Sequence, residues 1–225
     1  MSLRVLTWNL FHGRALPARD EDLLDAFATR LAGWRWDVAL VQEVPPWWPS
    51  ALARPCDAEA RCALTSRNAL LPLRRALAQR HPELTRANGG GCDAILVRGP
   101  AIVAHARRRL RTWPERRVVH AVCVDGWGWF ANVHASTRPP RARADVVHAQ
   151  ATALRWAGER PLVLGGDFNV LHPPCLPGFL HVGASHVDHI LTCGHMHAHD
   201  ARMETIADRG GLSDHAPLLV ALPDA

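Results

Sequence analysis

The chain has 225 residues, a formal net charge of +5 and 48% hydrophobic residues. That length fits one large domain or two small ones, and that apolar share is enough to fill a core. No apolar run approaches the roughly 20 residues of a membrane span, and MSLRVLTWNL lacks the charged start, apolar centre and cleavage site of a signal peptide, so a soluble, cytoplasmic protein is expected.

In chain order, Leu3 to Asn9 reads as a strand. Asp20 to Trp34 carries Leu23, Leu24, Phe27 and Leu31 at helical spacing, with acidic residues in the first turn. Asp37 to Val44 is a second strand, stopped by Pro45-Pro46. Asn68 to Gln79 is a second helix, Asn88 to Gly91 a glycine-rich turn, and Ala94 to Val97 a strand. Val118 to Val124 and Trp127 to Val133 flank Asp125-Gly126, a two-residue hairpin signal. Pro139-Pro140 opens a helix that runs to about Trp156. Leu162 to Gly165, Val187 to Thr192 and Pro217 to Leu222 are strand-like. Strands outnumber helices and hairpins mix with helical crossovers, so α/β layers are expected, with sheets packed together and helices outside. There is no internal repeat or linker, and one domain over residues 1–225 is the simplest organisation.

All 26 Lys/Arg positions are arginine, and there is no tyrosine. Composition alone accounts for such basicity; Arg107, Arg108, Arg109, Arg111, Arg116 and Arg117 nevertheless cluster, either to meet phosphates or as a solvated strand face. The six cysteines form no CxxC pair and suggest no zinc site; Cys123 and Cys193 lie in apolar runs as small core residues. A Cys56–Cys62 disulfide is not expected in an intracellular chain.

A polar residue ends one apolar run after another. Asn9 follows VLTW, Glu43 follows VALVQ, His134 follows FANV, and Asp167 and Asn169 follow LVLGG. Asp188 and Asp214-His215 precede apolar runs. Residues two apart on a strand share a face, so Asp167 and Asn169 point together. Strand ends are where α/β folds place their sites. Carboxylates and amides are hard oxygen donors that suit Mg²⁺ or Mn²⁺, and His134 and His215 are candidate acid–base groups. Together they fit metal-assisted hydrolysis of a phosphate ester.

Six motifs in order carry a family resemblance: TWN (Thr7 to Asn9), QE (Gln42-Glu43), NVH (Asn132 to His134), GDFN (Gly166 to Asn169), VDHIL (Val187 to Leu191) and SDH (Ser213 to His215). From about Leu3 to Leu222 the chain resembles the metal-dependent endonuclease/exonuclease/phosphatase superfamily, which includes deoxyribonuclease I. The resemblance implies a four-layer α/β/β/α sandwich. It implies that Glu43, with Asn9, holds the metal and that Asp214 belongs to the metal shell. Asp167 would position or deprotonate the attacking water and Asn169 would hold a phosphate oxygen. His215, oriented by Asp188, would contact the scissile phosphate or act as base. His134 would be the general acid for the leaving oxygen or a phosphate-positioning group. VDHI replaces the LDY form of abasic-site enzymes, so abasic-site repair is not expected.

The expected activity is that of a Mg²⁺- or Mn²⁺-dependent phosphodiesterase, with DNA or RNA as first substrate, acting as a monomer. A phosphomonoesterase or lipid phosphodiesterase is the alternative, and a non-catalytic binding module is the other class. Asp93 stands where the family often has asparagine and would orient His134 or serve a turn. His12, close after TWN, either lines the pocket or, by default, is a loop histidine. His195, His197 and His199 alternate as either a solvated segment or an accessory metal site. Trp47-Trp48 either stack on a base or pack the loop.

Overall fold

The computed structural model describes residues 2–65, 70–80, 91–194, 200–204, 206 and 208–223. In chain order the strands are β1 (Leu3–Asn9), β2 (Val38–Val44), β3 (Ala58–Leu64), β4 (Cys92–Arg98), β5 (Ile102–Arg111) and β6 (Arg117–Val124). They continue with β7 (Gly128–His134), β8 (Leu162–Asp167), β9 (Phe179–Ser185), β10 (Asp188–Cys193), β11 (Arg202–Glu204) and β12 (Leu218–Leu222). The helices are α1 (Leu24–Gly33), α2 (Pro49–Ala53), α3 (Leu71–Arg80) and α4 (Pro139–Ala157). One six-stranded sheet runs β11-β12-β1-β2-β4-β3 and the other β5-β6-β7-β8-β10-β9. Both are mixed: β1/β2 and β7/β8 are parallel, and the other neighbours antiparallel.

Alternation along the strands builds three apolar layers. Val5, Leu40, Ile95, Val122, Phe130, Val163, Ile190 and Val220 meet between the sheets. Leu6, Trp8, Ala39 and Val41 face the other way, onto Phe27 and Leu31 of α1. Ala131, Val133, Leu162 and Leu164 face Ala142, Val146, Ala149 and Ala153 of α4. Small alanines on α4 let the helix lie close to its sheet. The result is the α/β/β/α sandwich expected from the motifs.

Several local expectations change. The first helix starts at Leu24, not Asp20, because Asp22 Oδ1 accepts the Leu24 N–H at 3.0 Å and turns the chain there. The hairpin loop has three residues, since Val124 pairs with Gly128 and Trp127 N–H bonds back to Val124 O at 3.1 Å. The arginine run is strand β5, whose first and middle residues are mostly exposed. β3, β9, β11 and α2 were not anticipated. Cys193 is only half-buried, whereas Cys123 is buried. The Asn88–Gly91 turn (save Gly91) and the His195/His197/His199 segment lie outside the described residues.

Candidate active site

The strands bring their polar ends to one end of the sandwich. β1, β2, β7 and β8 arrive there with their C-terminal ends, and β4 and β10, running antiparallel, with their N-terminal ends. The layer beneath is a buried amide bridge between the sheets. Gln42 Nε2 donates to Asn132 Oδ1 at 2.8 Å and to Thr7 Oγ1 at 3.1 Å. Asn132 Nδ2 donates to the carbonyls of Val41 and Ala94 at 3.0 and 2.9 Å. Three motif residues, from TWN, QE and NVH, thus fix one sheet on the other.

The two glycines before Asp167 have separate reasons. A Cβ on Gly165 would lie 2.8 Å from Leu40 Cδ1 of the facing sheet. A Cβ on Gly166, at φ +139°, would lie 2.0 Å from Val133 O of the neighbouring strand. Glycine therefore lets β8 carry Asp167 close to both sheets.

Asp167 is the centre of the site and is buried. Its Oδ2 accepts Asn9 Nδ2 at 3.0 Å and its Oδ1 accepts the Asn169 N–H at 2.9 Å. Asn169 is left-handed (φ 51°), and its Nδ2 donates to Ala135 O at 3.0 Å. His134 Nε2 stands 3.4 Å from Asp167 Oδ2 and 3.8 Å from Glu43 Oε1. His215 Nε2 stands 3.8 Å from Asp167 Oδ2, while its Nδ1 is 2.7 Å from Asp188 Oδ2. Asp214 is exposed, with Oδ1 4.0 Å from His215 Nε2.

Glu43 owes its place to a bulge. Between β2 and β4 the register slips at Val41/Val44, and Glu43 takes φ 51°. A non-glycine residue held there costs about 1–2 kcal/mol, and such outliers cluster at functional sites. The twist frees Glu43 from the ladder and aims it at the histidines. His12 Nε2 meets Glu43 Oε2 at 3.1 Å, so His12 lines the site rather than idling in a loop.

The SDH turn is tied to β1. Ser213 Oγ donates to Asn9 O at 2.6 Å and accepts the His215 N–H at 3.0 Å. Trp8 Nε1 donates to His215 O at 3.1 Å. The tryptophan of TWN therefore holds the backbone of SDH, a role that its apolar appearance in sequence concealed.

Burial sets the protonation states. It works against a charged His215, but the Asp188 hydrogen bond and the charges of Asp188, Asp167 and Asp214 outweigh it and raise the ring to about 9. Burial also lifts Asp188 to about 7 despite the His215 bond, and lifts Asp167. His134 is pushed well below its ordinary value by burial, then by Arg117, His12 and His215, so it is neutral at pH 7. Asp93 is fully buried and neither oxygen closes a hydrogen bond; burial drives it to about 8, although Arg117 and the nearby Glu43 N–H favour its charge. Of the two roles open to Asp93, orienting His134 is not the one seen: Asp167 and Glu43 are the carboxylates that approach the ring. Trp48 is buried against Phe27 and over Gly13, which settles it as loop packing.

These residues fit a divalent cation. Asp167, Asp188 and His215 offer donor atoms within 4.8 Å of one another. Buried Asp93 Oδ1, Asp93 Oδ2 and Asp188 Oδ1 have no hydrogen-bond partner among the described residues. Carboxylates crowded together and left bare are a natural cradle for an ion that prefers oxygen. His215 Nδ1 is already taken by Asp188, which favours oxygen ligands over this nitrogen.

Residues 6–215 match the family model described as Endonuclease/Exonuclease/phosphatase family. The chain belongs to that family, whose enzymes are hydrolases acting on phosphoesters. A search of curated proteins found no match. Among solved structures, TDP2 from Caenorhabditis elegans is similar at 13% identity and TM-score 0.69, over 99% of this chain and 74% of that one. The human Nocturnin catalytic domain, with bound sulfate, is similar at 14% identity and TM-score 0.66, over 99% and 94%. The Bacteroides thetaiotaomicron mannosyl-6-phosphatase Bt3783 is similar at 15% identity and TM-score 0.64, over 99% and 100%. At these identities the likeness establishes the deoxyribonuclease I-like fold. Among the described residues no helix is long and apolar enough to cross a membrane.

Proposed function

We propose that this chain is a Mg²⁺- or Mn²⁺-dependent phosphodiesterase acting as a nuclease on DNA or RNA. The observation that carries the reading is the packed set of Asp167, Asp188 and His215 beside Glu43 and Asn9, with carboxylate oxygens left bare. Glu43 and Asn9 would hold the ion, with Asp214 as a further oxygen donor. Asn9 Oδ1 already accepts the Phe11 N–H at 2.9 Å and keeps a second lone pair for this task. A bound divalent ion neutralises charge developing on the phosphate and polarises its oxygen.

The chain's own groups do the rest. Asp167, held by Asn9 and Asn169 and made more basic by burial, orients the attacking water and takes its proton. Protonated His215 donates from Nε2 to a phosphate oxygen, with Asp188 fixing the ring. The second hydrogen of Asn169 Nδ2 is free for another phosphate oxygen. His134, neutral, donates a hydrogen bond rather than a whole proton.

The test is turnover of bis(p-nitrophenyl) phosphate, p-nitrophenyl phosphate and supercoiled plasmid, with Mg²⁺ or Mn²⁺. Diester cleavage and plasmid nicking are expected, abolished by excess EDTA and reduced about 10²–10⁴-fold by Asp167→Ala, the range for loss of a general base. Undiminished turnover in EDTA would overturn the metal dependence. Monoester turnover alone would replace the nuclease by a phosphatase.

A further inference from the structure

β5 is the outer strand of its sheet, and its last residues return through the turn 112–116 into Arg117 of β6. Arg107, Arg108, Arg109 and Arg116 are exposed, and no carboxylate pairs with them among the described residues. This separates them from Arg111 and Arg117, which are occupied by Asp145 and Glu115. Arg107 and Arg109 pair with His120 and Val118. They therefore share a face, about 6.8 Å apart along the strand. Arg108 projects from the other face.

The row leads to the active site. β6 begins at the same end at which β7 delivers His134, since the two strands are antiparallel. The Arg117 charge acts on His12, His134 and Asp93, all at the site. Trp113, in the turn that joins β5 to β6 at this end, is 68% exposed. The other eight of the nine tryptophans are buried or half-buried. The turn thus presents an exposed indole on the same stretch of chain as guanidinium groups that no carboxylate among the described residues occupies. It is the combination that binds unstacked bases and their phosphates. A duplex keeps its bases stacked and hides their faces, so it offers Trp113 nothing.

We propose that the β5 edge and the 112–116 turn form a track for a single-stranded polynucleotide, with Trp113 stacking a base and Arg107, Arg108, Arg109 and Arg116 holding the backbone as it enters the site. This rests on the phosphodiesterase reading for its catalytic end, and on charge and exposure alone for binding.

The test is fluorescence anisotropy of a labelled oligothymidylate with cleavage-resistant phosphorothioate linkages, and of a duplex of equal length, with Mg²⁺ present. Bis(p-nitrophenyl) phosphate turnover is followed in the same proteins. Single strand should bind more tightly than duplex. Trp113→Ala should weaken single-strand binding roughly 5- to 100-fold, and Trp113→Phe should restore most of it. The Arg107→Gln/Arg108→Gln/Arg109→Gln variant should flatten the log K against log salt slope by about 2, near 0.7 for each lost contact. The small diester should be turned over equally by all. Diester turnover with equal oligonucleotide affinities across the variants would overturn the track and spare the phosphodiesterase. Trp113-dependent binding without diester turnover would do the reverse.

Discussion

Asp93 shows how far a single carboxylate departs from its ordinary chemistry here. Burial raises its folded value to about 8, against 3.8 in the unfolded chain. The unfolded state therefore releases the proton near pH 4, while the metal-free folded state keeps it to about pH 8. Stability contributed by this group is highest in acid and is lost as pH rises through that window. Asp93→Asn should remove the slope and, in EDTA at neutral pH, raise stability relative to wild type, because the unfolded aspartate ionises there while the folded one must keep its proton. Melting temperatures from pH 5 to 8 for both proteins check this; parallel curves would mean that Asp93 stays charged in the fold. The sequence made Asp93 conspicuous but left its role open between orienting His134 and a turn or hydrogen-bonding role, because one-dimensional spacing does not say which carboxylate reaches His134. His12 was legible as a loop residue or a lining of the pocket, with the loop as the default. Its contact with Glu43 depends on the bulge at Val41/Val44, which no spacing rule announces.

Among elements, those with a strong apolar signature were readable and those without were not. β1, β2, β6 and β7 were found because most or all of their residues are buried, and α4 because Pro139 opens it and apolar residues recur along one side. β5 and β9 expose much of their length at sheet edges; β9 was missed, and the β5 arginines offered a solvated strand face only as one of two readings. β3 is half-exposed along nearly all of its length for the same reason. The Gly165-Gly166 pair was visible as a sequence oddity, while its cause, the closeness of Leu40 and Val133, is tertiary. Gly166→Ala should therefore destabilise the protein by about 2–4 kcal/mol, since both φ and the Val133 carbonyl oppose a Cβ. Urea unfolding measures it; a change below about 0.5 kcal/mol, the range of neutral surface substitutions, would show that β8 can shift away from β7 without loss.

At the scale of the whole molecule, the sandwich buries imidazoles as well as carboxylates. His120 lies between the sheets, held to about 3 by burial and then by His105; His189 is held to about 4, chiefly by burial. Both must take up a proton when the chain unfolds in acid. Their contribution to stability is complete above about pH 6.5 and is lost as pH falls toward those values. Metal-free protein should thus be most stable near neutrality or slightly below, with the acid limb softened by His120→Leu. Equal acid midpoints in wild type and variant would assign that limb to other groups.

The lock between the two ends of the fold has a consequence for biosynthesis. Trp8 is made long before its hydrogen-bond partner, the carbonyl of His215, which follows 207 positions later. β1 cannot complete its sheet until β12 has been translated. On the ribosome, every earlier residue of the proposed site is present before the one that closes it. Until the segment from Ser213 to Leu222 has been made, the proposed site therefore lacks both His215 and the strand that completes its sheet.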